Sequence, residues 1–266
     1  MNRAAGYEVA PGHKPPVLDG WSDDLSYDYY ARMLGVIADH YRPIRLREAV
    51  EPREPGKPLA IMRHDVDVCP RAALAMAKLE KDHRFPATYF FLINSPLYSV
   101  STPQNAAILS EIAGMGHEVA LHFDLEDEPR IGGCTLEVVE QEIAKAAALV
   151  EAASGEPVRS VSFHRPIDAF LRGPLVVAGL VNAYARELMA WYMSDSNGWC
   201  REGEPIPLLM KPRGDILQFL IHPIWWGEQH MCYEDRLAAY HSQQQDPDGD
   251  LDQRLFRGIG LKRRPS

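Results

Sequence analysis

The chain has 266 residues, 46% of them hydrophobic and 24% charged, with a formal net charge of −9. This is the composition of an ordinary globular domain, long enough to bury one large core and of the size at which α/β barrels commonly occur. The acidic balance argues against nucleic acid as the main partner, and no apolar run approaches the length of about 20 residues that a membrane-spanning helix needs.

In chain order, residues 1–20 are rich in Pro and Gly and read as a loosely held N-terminal arm. The start Met1-Asn2-Arg3 lacks the apolar core of a signal peptide, and Cys69, Cys134, Cys200 and Cys232 form no C-x-x-C pair. A cytoplasmic setting without a disulfide framework or zinc ribbon is therefore expected. Ser26 is placed to cap a helix running to Tyr41, with Tyr27, Tyr30, Leu34 and Ile37 at helical spacing and Pro43 as the stop. A Pro-containing loop, Glu51 to Lys57, leads into a strand at Leu59 to Met62.

From there the pattern alternates. A helix begins at Pro70, a favoured first-turn residue, and reaches about His83. A strand over Ala87–Leu92 and a helix from about Gln104 to Gly114-Met115-Gly116 follow. Next come a strand from Glu118 to Phe123, a helix capped by Thr135 and running to Ala153, and a strand from Val158 to Phe163. A helix from about Leu175 to Leu188, a strand at Trp191-Tyr192-Met193 and a strand from Ile216 to Ile221 complete the series. Asp246–Asp252 echoes a calcium loop only faintly, with the Gly misplaced and no closing Glu, and reads as a solvated loop. Strands alternating with helices predict a mainly parallel sheet, here a partial or distorted (β/α) barrel of about six to seven strands in a single domain. The domain is placed at residues 21–235, with a polar C-terminal segment over 236–266.

Polar residues gather at the strand ends, where a barrel of this kind places its site. After the first strand, Arg63, Asp65 and Asp67 share one face, because side chains alternate along a strand. Two close carboxylates are costly unless a cation lies between them or one keeps a proton, so the pair is a candidate metal ligand and a candidate acid or base. Glu118, Ala120 and His122 share a face, with Asp124 and Glu126 beyond; Ser162 and His164 share another; Ser194-Asp195-Ser196-Asn197-Gly198-Trp199 and His222-Pro223 close the later strands. A mixed Asp/His set suits zinc or another divalent transition metal with three protein ligands and one open position. Tyr89, Trp199, Trp225 and Trp226 are aromatic candidates for contacts with a substrate.

The ordered set Arg-His-Asp-Val-Asp, Ala-Thr-Tyr-Phe-Phe, Gly-His-Glu-Val-Ala-Leu-His, Ser-Phe-His-Arg-Pro, Ser-Asp-Ser-x-Gly-Trp and Ile-His-Pro-x-Trp-Trp resembles the polysaccharide deacetylase superfamily, carbohydrate esterase family 4, over roughly residues 25 to 230. The resemblance implies a partial (β/α) barrel and metal-dependent removal of acetyl from an N-acetylated amino sugar. It implies Asp65 as general base, Asp67 and His122 as metal ligands, Arg165 as the residue that orients the catalytic carboxylate, Asp195 and Trp199 at the acetyl pocket and His222 as general acid. The family's second metal His would fall at position 126, where this chain has Glu126. His164 is the favoured third ligand, with Glu126 and Asp124 as the alternatives. His64 and His117 alternate away from the ligand face and read as supporting or structural groups.

The expected cofactor is a divalent metal, foremost Zn2+, with Co2+, Ni2+ or Mn2+ as substitutes, and the expected partner is a carbohydrate or other small-molecule substrate. The competing expectations are an amidohydrolase acting on a small non-sugar amide or ureide, and a catalytically depleted barrel that binds a glycan or a protein.

Overall fold

The computed structural model describes residues 24–53, 55–125, 135–166, 169–244, 246 and 249–259. The arm expected over residues 1–20, and Glu126, lie outside them. Helix α1 (Tyr27–His40) begins where Ser26 Oγ accepts a hydrogen bond from the Tyr29 N–H at 3.1 Å, and it buries Tyr30, Met33, Leu34 and Ile37. Strand β1 (Arg42–Ile44) precedes β2 (Leu59–Val66). The alternation then runs α2 (Pro70–Asp82), β3 (Thr88–Leu92), α3 (Pro103–Gly114), β4 (Glu118–Phe123), α4 (Leu136–Ser154) and β5 (Ser160–Phe163). After β6 (Val176–Val177) and β7 (Leu180–Asn182) come β8 (Trp191–Ser194), α5 (Pro205–Leu209), β9 (Ile216–Ile221), α6 (Tyr233–Ser242) and α7 (Leu251–Ile259).

The sheet order is β6-β7-β5-β4-β3-β2-β9-β8, with β1 paired alongside the start of β2. Every pairing is parallel except β6 with β7. Helices and loops cover both faces, so all eight residues of β2 are buried, as expected of a strand central to a parallel sheet. Alternation sorts the apolar side chains into two cores. Ile44, Leu46, Ile61, Phe90, Ala120 and Ala183 fill the inside of the curl, while Met62, Phe91, Val119 and Leu121 pack outward against the helices. The curl itself is visible in one contact: Ser162 Oγ on β5 lies 3.4 Å from Asp65 Oδ1 on β2. Two strands separate them in the sheet, so a flat sheet would hold them about 14 Å apart.

The expected helix over Leu175–Leu188 is not formed. That stretch is the β6–β7 hairpin followed by a short 3-10 turn at Arg186–Met189. Ala178 and Gly179 sit at φ 51° and 77°, the paired positive values of a two-residue hairpin turn, and the β-branched Val176, Val177 and Val181 favour strand. Asn182 fixes the bend by donating to the Phe170 and Pro174 carbonyls, at 3.0 and 3.1 Å, and accepting from the Tyr184 N–H at 2.9 Å. Past residue 235, Leu237, Tyr240, Leu251 and Leu255 are buried, so α6 and α7 pack on the barrel. No helix among the described residues is long and apolar enough to cross a membrane.

Behind β2 the outer layer holds a buried carboxylate, Glu80 on α2. Its Oε1 accepts from the Tyr30 hydroxyl at 2.5 Å and lies 2.7 Å from His64 Nε2, and its Oε2 accepts from the Tyr89 hydroxyl at 2.6 Å. Burial alone would raise this carboxyl; the His64 ring beside it holds it below its ordinary value instead. Glu80→Ala strands these buried partners. Urea unfolding is expected to show a loss of about 3–5 kcal/mol, whereas a loss below about 1 kcal/mol would mean the network contributes little.

Candidate metal centre

The last turn of pleat on β2 sets the geometry. Arg63 and Asp65 point into the curl from the same face, and the Arg63 guanidinium grips the carboxylate in two places, Nε to Oδ1 at 2.9 Å and Nη2 to Oδ2 at 2.7 Å. Arg63 is fully buried, and its guanidinium also lies 4.3 Å from the centre of the Tyr184 ring. Burial works to raise the Asp65 carboxyl, but the Arg63 charge, the His122 ring and the Arg63 hydrogen bonds together leave the group below its ordinary value. Asp65 is thus held ionised and fixed in direction.

Asp67, His122 and His164 converge beside this pair, one donor atom of each lying within 4.8 Å of the others. His122 Nε2 is 3.1 Å and His164 Nδ1 3.3 Å from Asp67 Oδ1. Ligands held tetrahedrally at 2.0–2.1 Å from zinc are separated from one another by about 3.3 Å, so the spacing fits. The hydrogen-bond chemistry fits as well. Ser162 Oγ donates to Asp65, so its contact with His122 Nδ1 at 2.5 Å is one in which the imidazole N–H donates. His122 Nε2 is then a bare lone pair aimed at a carboxylate oxygen that has no hydrogen bond of its own. Two acceptors facing each other in a buried place call for a cation or a proton between them. Burial would raise Asp67; with a proton in that gap, the His164 and His122 rings bring its carboxyl well below the carboxylate range. Conversely, Asp67 raises His164 against the effect of its burial.

On the opposite side, His222 follows β9 and faces Asp195, which follows β8. Asp195 Oδ1 is 2.6 Å from His222 Nδ1, and the carboxylate also accepts from the His222 backbone N–H at 2.9 Å and from Trp226 Nε1 at 2.8 Å. Burial would depress the imidazole, but Asp195 overrides it and raises the pKa to about 9. His222 Nε2 points back toward Asp67, 3.8 Å from its Oδ2. Asp65, Asp67, His122, His164 and His222 line a single cavity of about 180 Å³, together with Tyr184, Tyr192 and Trp225. That is smaller than the ~300–1,000 Å³ typical of drug-sized sites, and it suits one small group seated against the cluster.

Several expected roles change. Arg165 does not reach Asp65; its guanidinium pairs with Asp124, Nε to Oδ1 at 3.1 Å and Nη2 to Oδ2. Arg63 is the arginine that grips Asp65. Asp124, committed to Arg165, is not part of the ligand cluster, and Glu126 lies outside the described residues. Tyr89 cannot touch a substrate: it is fully buried on the outer face of β3, bonded to Glu80 and stacked on His64 at 4.2 Å. Trp226, only 2% exposed, holds Asp195 rather than a sugar. Trp225 lines the cavity, whereas Trp199 is half-buried and is not among the cavity's lining residues. The roles of Ser162, Tyr184 and Tyr192 were not anticipated. Ser162 shares a strand face with His164, which was the one available signal.

Neither the family models nor the curated proteins contain a match to this chain. Among solved structures, 20 chains match. A carbohydrate esterase family 4 pseudoenzyme from Bacillus anthracis is 13% identical, with 71% of this chain and 63% of that chain covered and a TM-score of 0.39. The chain thus spans less than two thirds of that protein's length. The deacetylase PplD of Streptococcus pyogenes, in complex with acetate, is 14% identical over 80% of this chain and 85% of that one, at a TM-score of 0.45. The peptidoglycan deacetylase PdaC of Bacillus subtilis is 17% identical over 77% and 95%, at 0.39. None of the three reaches a TM-score of 0.5 or 25% identity. These likenesses are to proteins described as a carbohydrate esterase family 4 pseudoenzyme, a deacetylase and a peptidoglycan deacetylase.

Proposed function

We propose that this chain is a divalent-metal-dependent hydrolase that removes the acetyl group from an N-acetylated amino sugar. The observation that carries the reading is the convergence of Asp67, His122 and His164 on one point of a cavity that has Asp65 on one side and His222 on the other. Asp67, His122 and His164 would hold the metal, and their mixed nitrogen and oxygen set suits Zn2+, with Co2+, Ni2+ or Mn2+ as substitutes. A metal bound there supplies polarisation of the amide carbonyl and a water acidic enough to react near neutral pH.

The chain's own residues do the remainder. Asp65, kept ionised and aimed by Arg63, takes the proton of the attacking water. His222, kept protonated by Asp195, gives a proton to the departing amine nitrogen, so that acetate and a free amine leave. Ser162 ties His122 to Asp65, so the ligand and the base share one orientation. The depleted-barrel alternative is disfavoured because His164 completes a three-ligand set without the His that is absent at position 126.

Three outcomes follow. His164→Ala or Asp67→Ala should weaken zinc binding roughly a hundredfold or more in calorimetric titration, while Asp124→Ala should leave it near wild type; loss of zinc in the Asp124 variant instead would displace His164 from the set. Asp65→Asn should keep its zinc and lose about 10²- to 10⁴-fold in kcat for acetate release from a panel of N-acetylated sugars and sugar nucleotides. Undiminished turnover would remove Asp65 as the base. For Asp195→Asn the sign is fixed by His222: Asp195 raises its pKa, so the substitution lowers it. The alkaline limb of the kcat/KM profile should then move below the value of about 9 that the wild-type imidazole holds. An unmoved limb contradicts His222 as the acid.

A further inference from the structure

The lining of the cavity mixes apolar and polar residues. Val68, Leu220, Ile224, Trp225 and Ile259 are apolar residues of the lining, and Ser196, Asn197 and Arg201, from the loop after β8, are polar ones, the Ser196 hydroxyl sharing a hydrogen bond with Ser194 Oγ at 2.6 Å. The loop that carries the polar residues is fastened to the end of β8. Asp195 O accepts from the Gly198 N–H at 2.9 Å, Ser194 Oγ accepts from the Ser196 N–H at 3.0 Å, and Ser194 O accepts from the Arg201 N–H at 3.4 Å. Arg201 is exposed, and among the described residues its guanidinium enters no ion pair, although its charge reaches the neighbouring Glu202.

The balance of charge in the cavity gives this arginine a purpose. Arg63 neutralises Asp65, and His222 neutralises Asp195. A divalent cation bound there would more than neutralise Asp67, and Arg201 adds a further positive charge to the lining, with Glu202, whose carboxylate accepts from the Ser194 N–H at 3.3 Å, as its neighbour. The chain as a whole carries −9, a field that repels anions, so an anionic ligand would need such a local cation to settle here. A guanidinium in a lining that also offers a hydroxyl and an amide suits a planar carboxylate or a phosphate.

We propose that the substrate carries an anionic group, carboxylate or phosphate, beside its acyl amide, and that Arg201, with Ser196 and Asn197, binds it. This rests on the hydrolase reading above and narrows its substrate class. The test titrates three probes into the zinc-loaded protein by calorimetry: neutral N-acetylglucosamine, N-acetylmuramic acid with its carboxylate, and N-acetylglucosamine 1-phosphate. Acetate release is followed in parallel. At least one anionic probe should bind about tenfold or more tighter than the neutral sugar, and which one does so names the anion. Arg201→Gln should erase that preference without weakening the neutral sugar, and Arg201→Lys should retain part of it. Equal affinity for all three probes, no binding of any, or a preference that survives Arg201→Gln would overturn the proposal. A preference for the anion without acetate release would count against the hydrolase reading alone and leave the anion site standing.

Discussion

Asp65 and Asp67 are buried two residues apart on one face of the chain, at 3% and 6% exposure. An unpartnered buried carboxylate costs several kcal/mol, and two side by side add their repulsion. Each is satisfied by a different means. Asp65 is answered from its own strand, by Arg63 in a two-point grip. Asp67 is met from across the curl by His122 of β4 and His164 just past β5, with a cation or a proton needed between them. The first solution is local in sequence. The second exists only because the sheet bends far enough to bring β5 within reach of β2, so the curvature of the barrel and the electrostatics of the site are one requirement.

Two kinds of packing hold that curvature in place. Inside the curl, Ile61, Phe90 and Ala120 form a dry floor beneath the charged residues, so the polar groups are confined to the end where the strands finish. Outside it, the Glu80 network fastens α1, α2 and β3 to the back of β2. The two layers meet at Trp226, which lies edge-on to Tyr30 at 5.0 Å and donates to Asp195. His222 is therefore positioned from the helical layer as well as from its own strand.

Much of this was legible in the sequence, and the exceptions have physical reasons. The period-two alternation placed Asp65, Asp67, His122 and His164 on facing surfaces, and the capping residues marked α1 and α3 closely. The β6–β7 hairpin reads as helix in the sequence because its apolar spacing fits either period; the Ala178-Gly179 turn decides it through backbone angles that spacing does not encode. Arg63 and Arg165 each lie near a carboxylate in sequence, and only the three-dimensional reach of the side chains assigns Arg63 to Asp65 and Arg165 to Asp124. Tyr89 was within reach of sequence reasoning: Asp65 pairs in register with Phe90, so its neighbour faces the opposite layer. Ser162 and the tyrosines of the cavity depend on how tightly the sheet curls, which local pattern does not specify.

The central claim is that Asp67, His122 and His164 form one metal site. X-ray absorption at the zinc edge of the loaded protein tests it directly. The account predicts two imidazole nitrogens and a remainder of oxygen donors at about 2.0–2.1 Å. A shell with one imidazole or none, or one containing sulfur, would contradict it.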